Sequence, residues 1–330
     1  MGQDSATPYT LHLKPYRRRF LTPLQTHHGL WRDRTGLLVG LQPPKGRIGW
    51  GEIAPIPWFG TETLEAAIAY CQQLPSALTE ADIFAIPDTL PCCQFGWGSA
   101  WEALHHPSQS VVLHPHQVSG LLPTGEAALS LWSDLWAKGY RTFKWKIGVA
   151  PVEQELALFH RLMETLPRGT TLRLDANGGL TWAAAKQWLD HCDALIPGRI
   201  EYLEQPLPPN QLEEMVQLAQ AYRTPLALDE SVATLSQLRQ CYDWGWPGVM
   251  AIKPAIAGYP QALRSFLQTH LVDAVFSSAL ETEVGCTTAL CLGQAFNRKG
   301  RALGFGVDHW FAASDDDRMQ DVESIRRNPF

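Results

Sequence analysis

From about His114 onward the sequence repeats one unit: a short apolar run, one or two polar residues at its end, and a longer stretch with helical spacing, with Gly, Pro or Asn at the joins. The apolar runs fall at 116–120, 142–147, 171–174, 200–203, 226–228, 249–252, 274–276 and 302–304. Between them, 151–166, 181–194, 211–222, 259–270 and 284–297 place apolar residues three and four apart over helical lengths. Units of this kind demand a parallel sheet, because parallel neighbours need a long crossover and a helix supplies it. Eight such strands within roughly 190 residues fit a closed barrel better than an open sheet. Only 26 residues follow position 304, with Pro329 among them, so the eighth helix is expected to be missing or repurposed. The first unit, 117–138, carries the weakest signal.

The first 110 or so residues differ in texture. Alternating segments at 9–13 and 36–41, punctuated by Pro43-Pro44, Gly46, Gly49, Gly51, Pro55 and Pro57, predict antiparallel strands. The stretch 61–74 predicts a helix, with Thr61 as its cap and Leu64 as its first apolar position. The expected partition is an α+β domain over 1–112, completed by 308–330, and a barrel over 113–307.

Composition narrows the function classes. Charged residues are 18% of the 330, hydrophobic ones 45%, and there are 13 Trp, so a large core is affordable and disorder is not expected. The balance of 27 basic and 33 acidic residues, −6, leaves no electrostatic footprint for nucleic acid or an anionic membrane. The seven cysteines, Cys71, Cys92, Cys93, Cys192, Cys241, Cys286 and Cys291, are odd in number and lack C-x-x-C spacing. That argues against a disulfide framework or a zinc ribbon and for a reducing, cytoplasmic setting. No run reaches the roughly 18 apolar residues of a membrane span, and the start has no apolar signal core. Arg17-Arg18-Arg19 reads as a solvated strand edge. A soluble small-molecule enzyme is the expectation, with its oligomeric state open.

The residues at the strand ends carry the chemistry. They are Lys144-Trp-Lys146, Asp175-Ala-Asn177, Glu204-Gln-Pro206, Asp229-Glu230-Ser231, Lys253-Pro254 and Ser277-Ser278. The spacings Lys146 to Asp175 to Glu204 to Asp229 to Lys253 are 29, 29, 25 and 24, one βα unit each time. These groups therefore ring the C-terminal mouth, where barrel enzymes place their sites. One acid at a strand end is most simply a helix cap. Three in succession, flanked by lysines, form an oxygen-rich cage suited to a hard divalent cation such as Mg²⁺. Lys144 and Lys146, two apart on a strand, share a face, and two adjacent ammonium groups are expected to lower one another's pKa toward that of a general base. Lys253 lies across the barrel. A cation between opposed lysines suits proton abstraction beside a carboxylate, since the cation stabilises the enediolate while a lysine removes the proton.

These strand-end motifs resemble the enolase superfamily, in its muconate-lactonizing-enzyme-like subgroup with K-x-K on the second strand and a lysine on the sixth. Gly49-Trp50-Gly51-Glu52-Ile53-Ala54-Pro55 is similar to that superfamily's capping domain, so the likeness covers nearly the whole chain. Arg173-Leu-Asp175-Ala-Asn177, Ser277-Ser278-Ala-Leu-Glu281 and Gly304-Phe305-Gly306 are similar to the o-succinylbenzoate synthase family within the subgroup. The fold so implied is α/β: an enolase-type modified (β/α)8, or TIM, barrel of (β/α)7β form with an α+β capping domain.

The resemblance also implies roles. Mg²⁺ would sit on Asp175, Glu204 and Asp229, with Mn²⁺ as a substitute. Lys146, beside Lys144, would take the proton α to the substrate carboxylate and assist departure of the hydroxyl on the same face. Lys253 would stabilise the enediolate from the opposite face. Arg173, Asn177, Ser277, Ser278, Gly304, Leu24 and Thr26 would bind a small-molecule carboxylate. The implied reaction is dehydration of 2-succinyl-6-hydroxy-2,4-cyclohexadiene-1-carboxylate to 2-succinylbenzoate, in menaquinone or phylloquinone synthesis. Segments 23–29 and 55–60 are the expected lid; their Leu24, Thr26, Trp58 and Phe59 either cover the substrate ring or pack on the barrel rim.

An N-acylamino acid racemase, a dipeptide epimerase or a muconate-type cycloisomerase of the same superfamily is the alternative, because opposed lysines equally move a proton from face to face. Gly304-Phe-Gly306 lacks the Asp-x-Asp typical of dipeptide epimerases. A binding barrel that had lost catalysis would lack a ligand or a base, and here all five positions are filled.

Overall fold

The computed structural model describes residues 8–106 and 112–311. A long hairpin opens it. Strands β1 (Tyr9–Thr26) and β2 (Gly29–Gln42) pair antiparallel from Thr10 against Gln42 to Thr26 against Gly29, with a register break between Arg19 and Leu24. β3 (Gly49–Ile53) and β4 (Ala77–Leu78) flank them in the order β3-β2-β1-β4. The segments expected at 9–13 and 36–41 are thus pieces of one longer ribbon. The arginine run keeps the expected edge position, because β4 pairs only with Tyr9 and Thr10 and at 17–19 β1 has a partner strand on the β2 side alone. Arg17 is exposed and pairs with Asp33 at 2.7 Å, but Arg18 is half-buried with its guanidinium 3.9 Å from the Phe311 ring centroid.

Helix α1 (Leu64–Gln73) is capped by Thr63, whose hydroxyl accepts from the Ala66 N–H at 3.2 Å. The expected cap, Thr61, instead accepts from the Ile56 N–H at 2.9 Å. After the short α2 (Glu80–Ile83), α3 (Pro91–His105) runs through the centre of the capping domain, buried along most of its length. It lies so close to β3 that a Cβ on Gly96 would stand 2.5 Å from the Ile53 side chain.

The barrel strands are β5 (Val118–Leu122), β6 (Thr142–Lys146), β7 (Thr171–Asp175), β8 (Ile200–Glu204), β9 (Leu226–Leu228), β10 (Val249–Ile252), β11 (Ala274–Phe276) and β12 (Leu303–Gly306). They hydrogen-bond in the order β11-β10-β9-β8-β7-β6-β5-β12, and a parallel bridge between Ser277 and Gly304 closes the ring. The helices between them are α4 (Ala128–Ala137), α5 (Val152–Thr165), α6 (Trp182–Asp193), α7 (Leu212–Ala221), α8 (Leu235–Asp243), the short α9 (Pro254–Ala257), α10 (Pro260–Thr269) and α11 (Glu283–Phe296). The eight strands match the apolar runs, and α5, α6, α7, α10 and α11 match the helical stretches read from the sequence, while α8 has no counterpart among them. No α-helix follows β12 among the described residues, only a 3-10 turn at Asp308–Trp310. The chain there turns back, and Phe311 bridges Phe20 of β1. Of the segment 308–330 expected to complete the cap, 308–311 are described and 312–330 lie outside the described residues.

Alternation along the strands aims the chemistry. On β6, Phe143 and Trp145 point outward, and Trp145 meets Trp188 of α6 edge to face at 6.1 Å between centroids. Lys144 and Lys146 therefore point inward. Within the barrel, Tyr202, Ala227, Val249, Ala251 and Val275 form a separate packed layer. No helix of the described residues is long and apolar enough to cross a membrane, and no cysteine among them forms a disulfide.

Candidate active site

The strand ends converge as their spacing predicts. Parallel register sets Lys146 beside Asp175 and Asp175 beside Glu204. The Lys144 ammonium donates to Glu204 Oε1 at 2.6 Å and lies 2.7 Å from Asp175 Oδ2. Lys146 donates to Asp175 Oδ2 at 2.6 Å and to Asn177 Oδ1 at 2.8 Å, and Lys253 donates to Asp229 Oδ1. One oxygen from each of Asp175, Glu204 and Asp229 lies within 4.8 Å of the others, and all three side chains are buried.

Burial opposes charge here, and the outcome depends on partners. Burial, joined by the charges of Asp175 and Asp229, pushes Glu204 up to about 8 despite Lys144 and Lys253. Burial likewise raises Asp229, with Lys253 opposing it. Asp175 is also penalised by burial, but Lys144 and Lys146 outweigh it and hold the carboxyl below the usual range. The depressed lysine expected from two neighbouring ammoniums is not found at Lys144. Burial does act in that direction, but Asp175, Glu204 and Asp229 overcome it and hold Lys144 well above its ordinary value. Each lysine faces a carboxylate first and its fellow lysine second.

Glu204 Oε2 and Asp229 Oδ2 are buried with no hydrogen-bond partner. Unpartnered carboxylate oxygens converging on an all-oxygen cage are the donor set a hard divalent cation takes, so the residues fit such an ion.

Other residues hold this ring in place. Asn177, at φ 45°, accepts from Lys146 and donates from Nδ2 to Glu230 Oε1 at 2.9 Å. Gln205, at φ 38°, had no role assigned from the sequence. Its Oε1 accepts from the N–H groups of Asp229 and Ser231 at 2.9 and 3.2 Å, and its Nε2 donates to Ser231 Oγ at 2.8 Å, tying the end of β8 to the end of β9. His28, at the hairpin turn, places its Nε2 3.6 Å from Glu230 Oε1 at the mouth.

The cavity above the ring is roofed by the capping domain. Leu24 and Thr26 line it from the hairpin, and Ser277, Ser278 and Gly304 line it from the barrel. The Phe59 ring centroid is 4.4 Å from the Lys253 ammonium, and Trp58 packs edge to face on Trp31 at 4.8 Å. Leu24 is buried with Phe20, Leu121, Leu280, Trp310 and Phe311. Rim packing and cavity lining are therefore the same contacts. The expected 23–29 loop is mostly strand, with its turn at His27-His28. A larger open groove of about 1140 Å³, bordered by Asp88, Gln94, Leu212 and Arg239, contains none of the ring residues.

Arg173 does not reach the cavity. It is buried below the mouth, where Nε donates to Glu201 Oε2 at 2.7 Å, Nη1 to Ser119 Oγ at 3.3 Å and Nη2 to the Ala302 carbonyl at 2.6 Å. It ties β7 to β8, β5 and the start of β12, and its partner Ser119 is itself a cavity-lining residue. Ser278 lines the cavity, but its hydroxyl donates to Glu281 Oε2 at 3.0 Å and accepts from the Leu280 N–H at 2.8 Å. Gly304 cannot carry a side chain, since a Cβ there would lie 2.5 Å from Ser277 Oγ.

Glu281 yields a pH prediction away from the cation cage. Burial first, then the charge of Glu52, raise it from 4.5 to about 7, although hydrogen bonds from Ser278 and Ala279 oppose the rise. A carboxyl whose folded pKa is raised keeps its proton when the unfolded chain has lost it, so stability falls as pH climbs from about 4.5 to 7. The full penalty is about 3 kcal/mol. Between pH 5 and 7.5 the parent's Tm is expected to fall on the order of 5 °C more than that of Glu281→Gln, measured by calorimetry. Parallel pH profiles for the two proteins would refute this.

A (β/α)7β barrel under an antiparallel capping sheet, with lysines and carboxylates on successive strand ends, defines an enzyme of the enolase superfamily. Residues 127–323 match the family model described as Enolase C-terminal domain-like, and residues 21–104 match MenC, N-terminal domain. The chain is 43% identical over 300 residues to the o-succinylbenzoate synthase of Thermosynechococcus vestitus, covering 90% of this chain and 92% of that one. It is similar to the crystal structure of o-succinylbenzoate synthase from Thermosynechococcus elongatus BP-1 complexed with Mg in the active site, at TM-score 0.84, 41% identity and 96% and 98% coverage. A dipeptide epimerase from Enterococcus faecalis, at TM-score 0.79 and 19% identity over 94% and 93%, shares the fold alone. The chain belongs to the o-succinylbenzoate synthase family, whose members are lyases.

Proposed function

We propose that this chain dehydrates 2-succinyl-6-hydroxy-2,4-cyclohexadiene-1-carboxylate to 2-succinylbenzoate, a step of menaquinone or phylloquinone synthesis. The observation that carries the reading is the pairing of Lys146 with Asp175 on one side of the carboxylate cage and of Lys253 with Asp229 on the other, beneath a lid of Leu24, Trp58 and Phe59.

Lys146, its nitrogen fixed by Asp175 Oδ2 and Asn177 Oδ1, removes the proton α to the substrate carboxylate as general base. The same group, now an ammonium, gives that proton to the hydroxyl leaving from the same face. Lys253, held between Asp229 and the Phe59 ring, presents its positive charge to the opposite face as negative charge develops. Asp175, Glu204 and Asp229 would hold Mg²⁺, for which Mn²⁺ substitutes, and the cation supplies Lewis-acid stabilisation of the substrate carboxylate. Loss of water leaves an aromatic ring, which draws the reaction forward. The lid excludes water from the charged centre and so strengthens every interaction there. Cysteines without disulfides suit a reducing cytoplasm.

The test is to incubate the purified protein with Mg²⁺ and the cyclohexadiene and to follow the aromatic product. Turnover supports the reading. No turnover, together with α-proton exchange of N-succinyl amino acids in D₂O, overturns it in favour of a racemase. Chelation is expected to abolish turnover and Mn²⁺ to restore it. Glu204→Gln, which takes one oxygen from the cage, is expected to weaken Mg²⁺ binding at least about 100-fold by calorimetric titration; unchanged affinity would place the cation elsewhere.

A further inference from the structure

We propose that Glu52 of the capping domain is a positioning residue for substrate binding, acting across the domain boundary on the 277–282 segment of the barrel. The inference rests on the reading of the roofed cavity as the substrate pocket. Glu52 lies on β3, is buried, and touches none of the lysines or cage carboxylates. Its carboxylate instead receives the start of α11. Oε1 and Oε2 accept from the Thr282 N–H at 3.0 and 2.9 Å, and Oε2 accepts from the Gly285 N–H at 3.0 Å and from the Thr282 hydroxyl. Tyr16 of β1 donates its hydroxyl to Oε1. Burial and the Glu52 charge push Tyr16 well above its usual range, so that hydroxyl stays protonated and remains a donor.

A carboxylate at a helix N-terminus satisfies N–H groups that have no partner within the helix and faces the positive end of its dipole. The unusual feature is the source of the carboxylate, which stands 230 positions before Thr282 in another domain. Gly285 is the accommodating residue, because a Cβ there would lie 2.9 Å from Glu52 Oε2.

The anchored helix begins directly after a segment with little freedom of its own. Leu280 sits at φ 62°, an uncommon conformation for a side-chain-bearing residue. Ser278 Oγ and the Ala279 N–H both donate to Glu281 Oε2, and Arg34 of β2 donates from Nε to the Ala279 carbonyl at 3.1 Å. Ser277, Ser278, Ala279 and Leu280 all line the cavity. Their backbone path is thus set from the capping domain, by Arg34 at one end and Glu52 at the other. The lysines and the cage rest on β6 to β10 and on their own ion pairs, so a shift of this segment changes how substrate is held rather than how its proton moves.

The experiment compares the full-length parent with Glu52→Gln, measuring KM and kcat with the cyclohexadiene, Kd for 2-succinylbenzoate by calorimetric titration, and Tm. Glutamine keeps the volume but can direct only one oxygen at the three donors of α11, so KM and product Kd are expected to rise about tenfold while kcat stays within about twofold. A purely structural role would lower Tm and the active fraction, cutting apparent kcat while leaving KM and Kd unchanged, and that result overturns the proposal. Should Glu52→Gln not fold, Tyr16→Phe removes only the hydroxyl that steadies Glu52. It is expected to raise KM and Kd about threefold with kcat held, and unchanged KM and Kd in that variant overturn the proposal. If the parent neither turns over nor binds the product, the functional reading fails; if the parent does both and Glu52→Gln matches it, only the role of Glu52 fails.

Discussion

Lys146→Ala is expected to leave a folded protein whose turnover is reduced about 10³- to 10⁴-fold, the contribution of a positioned general base. The size of the loss follows from what remains. Lys144 is not placed to deputise, since it lies one step further down β6 with its nitrogen between Glu204 at 2.6 Å and Asp175 at 2.7 Å. Lys253 faces the site from the other side, against Asp229 and Phe59. The fold survives because Asp175 is not orphaned. It still has Lys144 at 2.7 Å and the Asn177 N–H at 3.0 Å after the Lys146 ammonium is gone. Lys146→Arg is not expected to rescue, since a guanidinium gives up no proton near neutral pH. Steady-state kinetics with circular dichroism on the same sample would check this, and turnover within tenfold of the parent would show that another group takes the proton.

That the ring could be read from sequence has a simple cause. A charged residue directly after an apolar run is conspicuous, and in a parallel barrel all strand ends of one sense open on one mouth, so spacing alone brings Lys146, Asp175, Glu204, Asp229 and Lys253 together. Helices α5, α6, α7, α10 and α11 are legible for the same reason, since each has one face on the barrel and a periodicity to match, whereas the shorter α8 and α9 are not. What escaped was whatever depends on contacts distant in sequence. α3 carries Gly96 and Gly98 within a largely buried helix, and glycines that suggest a loop in isolation serve there to let the helix lie against β3 at Gly96 and against the start of α10 at Gly98. Arg173 shares a motif with Asp175 and points to the same side of β7, yet it sits one layer lower, where Glu201 and the Ala302 carbonyl claim it. The charge state of Lys144 was misjudged because its neighbour on the strand is visible in the sequence and its partners on the next two strands are not. Gln205 and Glu52 lie in quoted motifs, but their roles come from residues 24 and 230 positions away.

The largest stability effect expected of a single substitution outside the cage is at Arg34. Its guanidinium is 1% exposed. Nε donates to the Ala279 carbonyl at 3.1 Å, Nη1 to those of Pro55 and Thr35 at 2.8 and 3.2 Å, and Nη2 to that of Ala54. One side chain thus serves carbonyls on β2, on the segment after β3 and on the barrel loop after β11. Arg34→Met keeps much of the volume and removes a buried charge, which is a gain, but strands these acceptors in a region that water does not reach. Each orphaned carbonyl costs about 1 kcal/mol or more, so a net loss of about 3–5 kcal/mol and a fall in Tm on the order of 10 °C are expected. Arg34→Lys is expected to recover little, because one ammonium cannot span three segments. Because Ala279 follows the cavity-lining serines directly, the variant's surviving folded fraction should also bind 2-succinylbenzoate more weakly. A Tm within about 2 °C of the parent would mean that the carbonyls find other donors and that Glu52 and apolar contact hold the capping sheet on the barrel without Arg34.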